Sequence, residues 1–568
     1  MDGAPQQNER ESERKAASGV GLTRLQSGLL RHAADFVASR VEPNVTAFLA
    51  ERQPVVWVLA LVIGILVGYA ALAFRAAIGL VQWPWLGTMS ERVAGAAAQL
   101  DWWVVLLVPA IGGVIVGLAI DRLLPGRRAH GVADVIEARA LNNAAVDLKT
   151  GLISAGLSAV SIGVGASVGR EGPVVHLGAT LAAAVEDRFK LSAAARRSLL
   201  AAGVASAVSA SFNAPIAGVL FAHEVILAHY ALRAMVPTVI ASVAGGLVTR
   251  YHLDAAPTFV IPDYQITSAY EFPAFALLGL ACAVVAIAFQ LSLMGAERLA
   301  ARFSGPTWVR TGCGGLIVGA IAVVFPHVLG VGYETTDDAL RGELPLWLAL
   351  ALILAKTAAT AVSLAARFAG GIFSPTLYLG AMTGTAFGIV ATSVFPEAGS
   401  SHGLYAILGM GAVAAAVLGA PLSTTLMVFE LTGGYAMTIA LLLTVSIAVG
   451  VTQACLGPSL FHWQLARRGI VLQDGPHQAI LRRMTVAEVM QPVAAAEWDG
   501  QLGQGGMARL AASDSLATAL RAFDQAGLDR LAVVAGDDAT RIVGHLDRIA
   551  ALDAFNKALV AATVEAHR

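Results

Sequence analysis

The sequence predicts an all-α polytopic membrane protein made of two related halves with broken helices, followed by a small C-terminal α/β domain. Three observations carry this. The 568 residues are 57% hydrophobic and only 14% charged, with a mean hydropathy of +0.69, too apolar for a soluble protein. No charge interrupts the run from Gln53 to Phe74, which is long enough to cross a hydrocarbon core of about 30 Å. Two landmarks recur in the same order. GREGPVVHLGA (169–179) matches GIFSPTLYLGA (371–381) at an offset of 202, and GVASAVSASFNAPIAGVLFAHE (203–224) matches GMGAVAAAVLGAPLSTTLMVFE (409–430) at an offset of 206.

Residues 1–52 read as a cytoplasmic N-terminal segment. The first eighteen or so are polar. Leu22, Leu25, Leu29, Ala33, Phe36 and Val37 then fall at helical spacing, with Arg24, Arg31, Asp35 and Arg40 mostly elsewhere around the helix. This predicts an amphipathic helix over 22–41 lying on the membrane surface. About fifty mostly polar residues before the first span do not read as a signal peptide. Basic flanks at Arg31, Arg40 and Arg52, and at Arg467, Arg468, Arg482 and Arg483, place both termini on the cytoplasmic side. The sequon Asn44-Val45-Thr46 is a chance match there.

Residues 53–468 form the membrane part. Uncharged runs follow at Trp102–Ile120, Gly151–Gly169, Ser198–His223, Phe272–Ala296, Thr311–Tyr333, Phe368–Pro396, Ser401–Phe429 and Leu431–Ala466. The doubled landmarks divide it into repeats of roughly 53–250 and 270–466. In each, an Ala-Pro pair precedes a Glu by nine residues: Pro215 with Glu224, Pro421 with Glu430. Close packing through small residues accounts for many glycines but not for the doubling. Cys282, Cys313 and Cys455 all lie in apolar runs and read as small packing residues, not as a metal site or disulfide set. The net charge of −1 is uninformative about partners, and no basic stripe argues for a nucleic-acid binder.

Each copy of the first landmark places glycines and a proline where a helix begins, and proline is tolerated in a first turn because its missing N–H has no partner there. That turn leaves N–H groups free and carries the positive end of the helix dipole. Inside a membrane such donors must meet protein, water or ligand. Two of them, one from each half, make an anion site at the repeat interface, and Gly131 in AHGVADVIEARA (129–140) adds a third helix start. Glu171 is then a tethered anion able to occupy the place of a free one, leaving on protonation or displacement. The alternative is a structural ion pair with Arg170.

These residues resemble the CLC family of chloride channels and chloride/proton exchangers. GREGPVV (169–175) is similar to its gating-glutamate motif, GIFSP (371–375) to its second anion-binding motif, and FNAPIAGVLFAHE (212–224) to the segment after the first. The resemblance covers about 50 to 470. It implies an inverted-repeat bundle of about eighteen helices, a homodimer with one pore per subunit in the cell membrane, chloride as the ion, and lipid as surroundings. It also implies Glu171 as the gate, with the Ile372 and Phe373 N–H groups holding the central anion and Gly131, Arg170 and Gly172 around it. Two departures stand out. The family's first motif, usually Gly-Ser-Gly-Ile-Pro, here reads Ala129-His130-Gly131-Val132-Ala133, and its second hydroxyl donor, a tyrosine, corresponds to Phe461. Hydrogen bonds to charged groups contribute about 1.5–3 kcal/mol each, so a weaker central site is expected unless His130 donates; the other reading is that His130 packs or meets water. Exchangers often carry a proton-transfer glutamate one position after the residue matched by Glu224. Val225 stands there, which favours passive, voltage-gated conduction over antiport, while Glu224 itself reads as structural.

The chain is not expected to be an enzyme. Gly165-Ala166-Ser167-Val168-Gly169 fits G-x-S-x-G without a preceding strand or an identifiable His/Asp partner, and His223-Glu224 lacks its second histidine, since Leu227 stands in that position. An intramembrane hydrolase is the remote alternative. Lys356 and Lys149 read as snorkelling or helix-end charges.

Residues 469–568 turn soluble in composition. TVAEVMQP (485–492) and a linker around 499–506 precede a helix over 512–527, strands at 531–536 and 541–546, and a closing helix at 549–559. The tail resembles a single CBS repeat. Asp547 and Ala550 stand where a nucleotide-binding pair carries Thr and Asp, so adenine nucleotide is not expected. No cofactor is implied.

Overall fold

The computed structural model describes residues 37–141, 144–252, 266, 269–395, 401–432, 435–470, 481, 484–492, 509–535 and 538–567. A first compact unit closes at Leu59. In it a π-turn at Val37–Val41 leads into a helix at Glu42–Ala50, and the rings of Phe48 and Trp57 meet edge to face at 5.1 Å. Most of the surface helix expected over 22–41, and the linker at 499–506, lie outside the described residues.

Eighteen α-helices run between Gln53 and Ala466 among the described residues. The first half holds α1 (Gln53–Leu86), the one-turn α2 (Val93–Ala97), α3 (Trp102–Leu123), α4 (Val132–Leu141), α5 (Leu148–Gly163), α6 (Glu171–Glu186), α7 (Ala193–Phe212), α8 (Pro215–Phe221) and α9 (Leu232–His252). The second holds α10 (Phe272–Ala300), α11 (Thr307–Val324), α12 (Tyr333–Leu340), α13 (Leu346–Ala365), α14 (Phe373–Val394), α15 (His402–Leu418), α16 (Pro421–Thr432), α17 (Tyr435–Leu456) and α18 (Leu460–Ala466). Eight helical segments are long and apolar enough to cross a membrane, whereas α5 and α15 are shorter apolar helices.

The doubled landmarks become doubled contacts. Where α6 crosses α7, a Cβ on Gly178 would lie 2.5 Å from the Gly203 carbonyl oxygen, and one on Gly203 2.3 Å from that of Gly178. Where α14 crosses α15, Gly380 and Gly409 stand in the same relation, at 2.2 and 2.4 Å. Real side chains cannot approach backbone so closely, so both crossings require glycine on each helix.

The halves also exchange bonds. Glu430 on α16 accepts from the N–H groups of Ile216 (2.9 Å) and Ala217 (2.7 Å) at the start of α8. Glu224, in the π-turn Ala222–Leu227 that continues α8, accepts from Leu422 (3.0 Å) and Ser423 (2.8 Å) at the start of α16. Each carboxylate thus caps the other half's helix after its Ala-Pro pair, satisfying donors that would otherwise be orphaned. The structural reading of Glu224 follows from these bonds. Gly169 and Gly371 likewise donate to each other's carbonyls, both at 2.7 Å, as an antiparallel bridge. Such reciprocity is the signature of two copies related by a two-fold axis.

The tail forms a four-stranded sheet of order β1-β4-β3-β2, from β1 (Gln491–Pro492), β2 (Leu510–Ala511), β3 (Arg530–Ala535) and β4 (Asp538–Asp547). Helices at Leu516–Ala526 and Arg548–His567 accompany it, close to the expected spans. The N–H of Thr518 donates to the Ser515 hydroxyl at 3.3 Å, capping the first. Val486 from TVAEVMQP is buried with Leu510, Phe523, Val533 and Leu546 in one core.

Candidate functional site

Both first-landmark copies start helices, α6 at Glu171 and α14 at Phe373, with Pro173 and Pro375 in the first turn. The bridge between Gly169 and Gly371 holds the two starts against each other. A Cβ on Gly371 would sit 3.0 Å from the Gly172 nitrogen, so glycine is what allows the contact. First-turn N–H groups from both halves therefore converge.

A cavity of about 390 Å³ opens beside them. Its lining includes His130, Gly131, Glu171, Gly172, Ile372, Phe373 and Phe461, so every expected site residue except Arg170 meets in one space. Four guanidinium groups also border it, from Arg128, Arg367, Arg467 and Arg468, against the carboxylates of Asp134, Glu171 and Glu297. The balance favours an anion. The ring of Phe373 packs on Phe212 and Phe221, at centroid distances of 5.2 and 6.0 Å, which keeps its side chain out of the way of its own helix start.

Glu171, one of the lining residues, is only 1% exposed. The Tyr333 hydroxyl donates to its Oε1 and the Ser374 hydroxyl to its Oε2. Arg170 Nε lies farther off, 3.6 Å from Oε1. Arg170 is instead ion-paired with Glu91, which also takes Arg75 at 2.9 Å, and its guanidinium lies 4.8 Å from the Tyr333 ring centroid. With Arg75, Glu91 and Gln82 it lines a separate small cavity of about 30 Å³. Glu171 and Arg170 thus line different cavities, although a looser ion pair at 3.6 Å still joins them.

Two expectations need correction. α4 does begin after Gly131, but the Gly131 N–H donates to Asp134 Oδ2 (2.8 Å) and the His130 N–H to the Ser154 hydroxyl (3.2 Å). What His130 can offer an anion is therefore its ring. Asp134 in turn holds Arg128 (2.5 Å) and Arg468 (2.8 Å). Lys356 is not a snorkelling or helix-end charge. It is fully buried within α13, where its Nζ donates to the carbonyls of Val328 (3.0 Å) and Gly330 (2.9 Å) and lies 5.0 Å from the Tyr378 ring centroid. Those carbonyls belong to the loop that ends at Gly332 (φ +86) and presents Tyr333 to Glu171.

Tyr333 and Ser374 were missed by sequence reasoning. Ser374 lies inside the quoted GIFSP, and Tyr333 follows a Gly-rich turn, Leu329-Gly330-Val331-Gly332. Neither signal names Glu171 as the partner. The enzyme-like strings are occupied otherwise. The Ser167 hydroxyl meets that of Thr360 at 3.2 Å, and the His223 ring bonds the His229 carbonyl (3.0 Å) and the Thr238 hydroxyl (3.2 Å).

Residues 112–453 match the profile of the family described as voltage gated chloride channel. The chain belongs to that family. A putative chloride channel protein, ClcB-like, of Ralstonia nicotianae is 33% identical over 404 residues, covering 70% of this chain and 94% of that one. The solved structure of a slow cyanobacterial Cl−/H+ antiporter superposes with a TM-score of 0.65 at 22% identity, over 73% of this chain and 97% of its own. A eukaryotic CLC transporter superposes with a TM-score of 0.62 at 19% identity, over 87% and 97%. The CLC fold is thus shared with relatives of low sequence identity.

In this CLC protein the Glu171 carboxylate is held by two hydroxyl donors, and that hold is testable. Tyr333→Phe removes one hydrogen bond to a charged group, about 1.5–3 kcal/mol. The carboxylate should leave its position more often, and chloride efflux from liposomes at pH 7.5 should rise roughly tenfold or more. Unchanged efflux would show that Tyr333 does not restrain it.

Proposed function

We propose that the protein carries chloride across the cell membrane through this cavity, in exchange for protons, with Glu171 as the gate. The observation that carries the reading is the Glu171 carboxylate lodged between the two helix starts, at the head of a cavity rimmed by basic residues. A carboxylate sitting where a chloride must pass has to be displaced or protonated first, and protonation ties proton traffic to anion traffic. In this reading the Ile372 and Phe373 N–H groups hold the central anion, His130 contributes its ring, and Phe461 and Gly172 shape the site. Arg170 acts from the far side of the gate, beside Glu91. The cyanobacterial relative by fold is described as a Cl−/H+ antiporter, in line with coupling.

Passive conduction is the second reading. Val225 favours it, and the Ralstonia relative is described as a chloride channel. We further propose a homodimer with one pathway per subunit, surrounded by lipid, with both termini cytoplasmic. The tail acts as a CBS-like structural or regulatory module; the bridge between Thr485 and Ser515 supports counting TVAEVMQP as part of it.

The test is the reversal potential of purified protein in liposomes under a chloride gradient, with and without a pH gradient. Exchange predicts a potential displaced by the pH gradient. A potential fixed at the chloride equilibrium value, indifferent to pH, would leave passive conduction as the reading. Absence of anion current would overturn both.

A further inference from the structure

One buried group lies behind the cavity wall, against His130, and takes no part in holding Glu171. His176 lies on α6, five residues past Glu171, and is 2% exposed. Its Nε2 has no hydrogen-bond partner among the described residues. Its ring meets that of His130 edge to face, with centroids 5.5 Å apart and planes at 84°, and His130 lines the anion cavity. Buried polar atoms are ordinarily satisfied, and one that is not asks for a use.

We propose that His130, on the cavity wall, and His176, packed behind it, form a proton site that takes one proton between them and so raises the cavity's affinity for chloride. The inference rests on the chloride reading of the cavity and adds to it a second titrating element besides Glu171. Imidazole is the side chain whose unperturbed charge change lies nearest neutral pH, and burial opposes a charge on this pair unless an anion accompanies it. Two imidazolium groups at this separation repel, so the pair takes one proton and not two. The charged groups that face it are Asp134 and Glu137 from α4, Arg128 from the preceding loop, and Arg468 after α18. Asp134 is already tied to Arg128 and Arg468, so an added positive charge on the pair is left to be balanced by the anion.

The sign follows from linkage. A proton that strengthens chloride binding must itself be bound more tightly when chloride is present. Glu171 also carries an ionisable carboxyl, so the measurement belongs in the Glu171→Gln protein, where that position carries no charge at any pH. Sodium chloride is titrated calorimetrically into this purified full-length variant between pH 8 and 5.5. The affinity should rise about tenfold across that range, as expected for one nearby unit charge in a partly solvated site. At pH 6.5, repeating the titration in buffers of different ionisation enthalpy should show protons taken up with chloride. Adding His176→Asn or His130→Gln should flatten the pH dependence.

An affinity in Glu171→Gln that is flat with pH, or a slope that survives loss of both histidines, would overturn the proton site while leaving the chloride reading intact. No chloride binding at any pH would overturn the chloride reading, and the proton site with it. The primary result needs no histidine substitution, so a variant that fails to fold does not obscure it.

Discussion

Glu171→Gln is expected to keep chloride moving and to abolish the proton flux that accompanies it. Glutamine has the shape of the protonated acid and still accepts from the Tyr333 hydroxyl that now bonds Glu171. It cannot take up or release a proton, and it carries no charge to compete with chloride for the helix-start N–H groups. Recording chloride and pH electrodes together on one liposome suspension reads both fluxes. Proton flux should fall to the level of empty liposomes. Proton movement per chloride equal to the wild type would remove Glu171 from the gate. If the wild type conducts passively, the same substitution should instead erase the pH dependence of the current.

Glu430→Ala is expected to produce the largest loss of stability among single changes outside the pathway. Glu430 alone satisfies the first-turn donors of Ile216 and Ala217. Each is a hydrogen bond to a charged acceptor, about 1.5–3 kcal/mol, and in a membrane the freed N–H groups have no water to turn to. The two together come to about 3–6 kcal/mol. Glu430→Gln keeps one acceptor oxygen and should lose about half as much. The two-fold relation makes a sharper demand, since Glu224→Ala strips Leu422 and Ser423 in the same way and should cost a similar amount. Thermal unfolding of the purified variants, followed by size-exclusion chromatography, checks this. Transition temperatures within a degree or two of the wild type for Glu430→Ala would show that the caps are replaceable.

Several features of the site could be read before any fold was known, because their signals are local. A proline within a first turn and glycines before it mark a helix start wherever they occur, so Glu171 and Phe373 were placed at the heads of helices, as they are. The repeat was legible because both copies keep the same small residues. Gly178 pairs with Gly203 just as Gly380 pairs with Gly409, and a contact that tolerates only glycine leaves its mark in the sequence. Arg170 shows the opposite case. The resemblance put it in the anion site, but Arg170 lines a different cavity, bonded to Glu91, 79 residues away, and more loosely paired with Glu171 at 3.6 Å.

The membrane class, the two halves, the broken helices and the helix starts that could meet an anion were legible in the chain, since each depends on composition, periodicity or the chemistry of a helix end; the individual anion-site residues came from the family resemblance. Only the tertiary structure decided what those residues meet. Tyr333 reaches Glu171 across 162 positions and Ser374 across 203. The Gly131 N–H is claimed by Asp134, Lys356 braces the loop before Tyr333, and His176 comes to rest against His130. Side-chain partners at such separations are selected by packing, in which a group bonds whatever the folded chain brings within about 3 Å, and nothing in the local pattern encodes that choice.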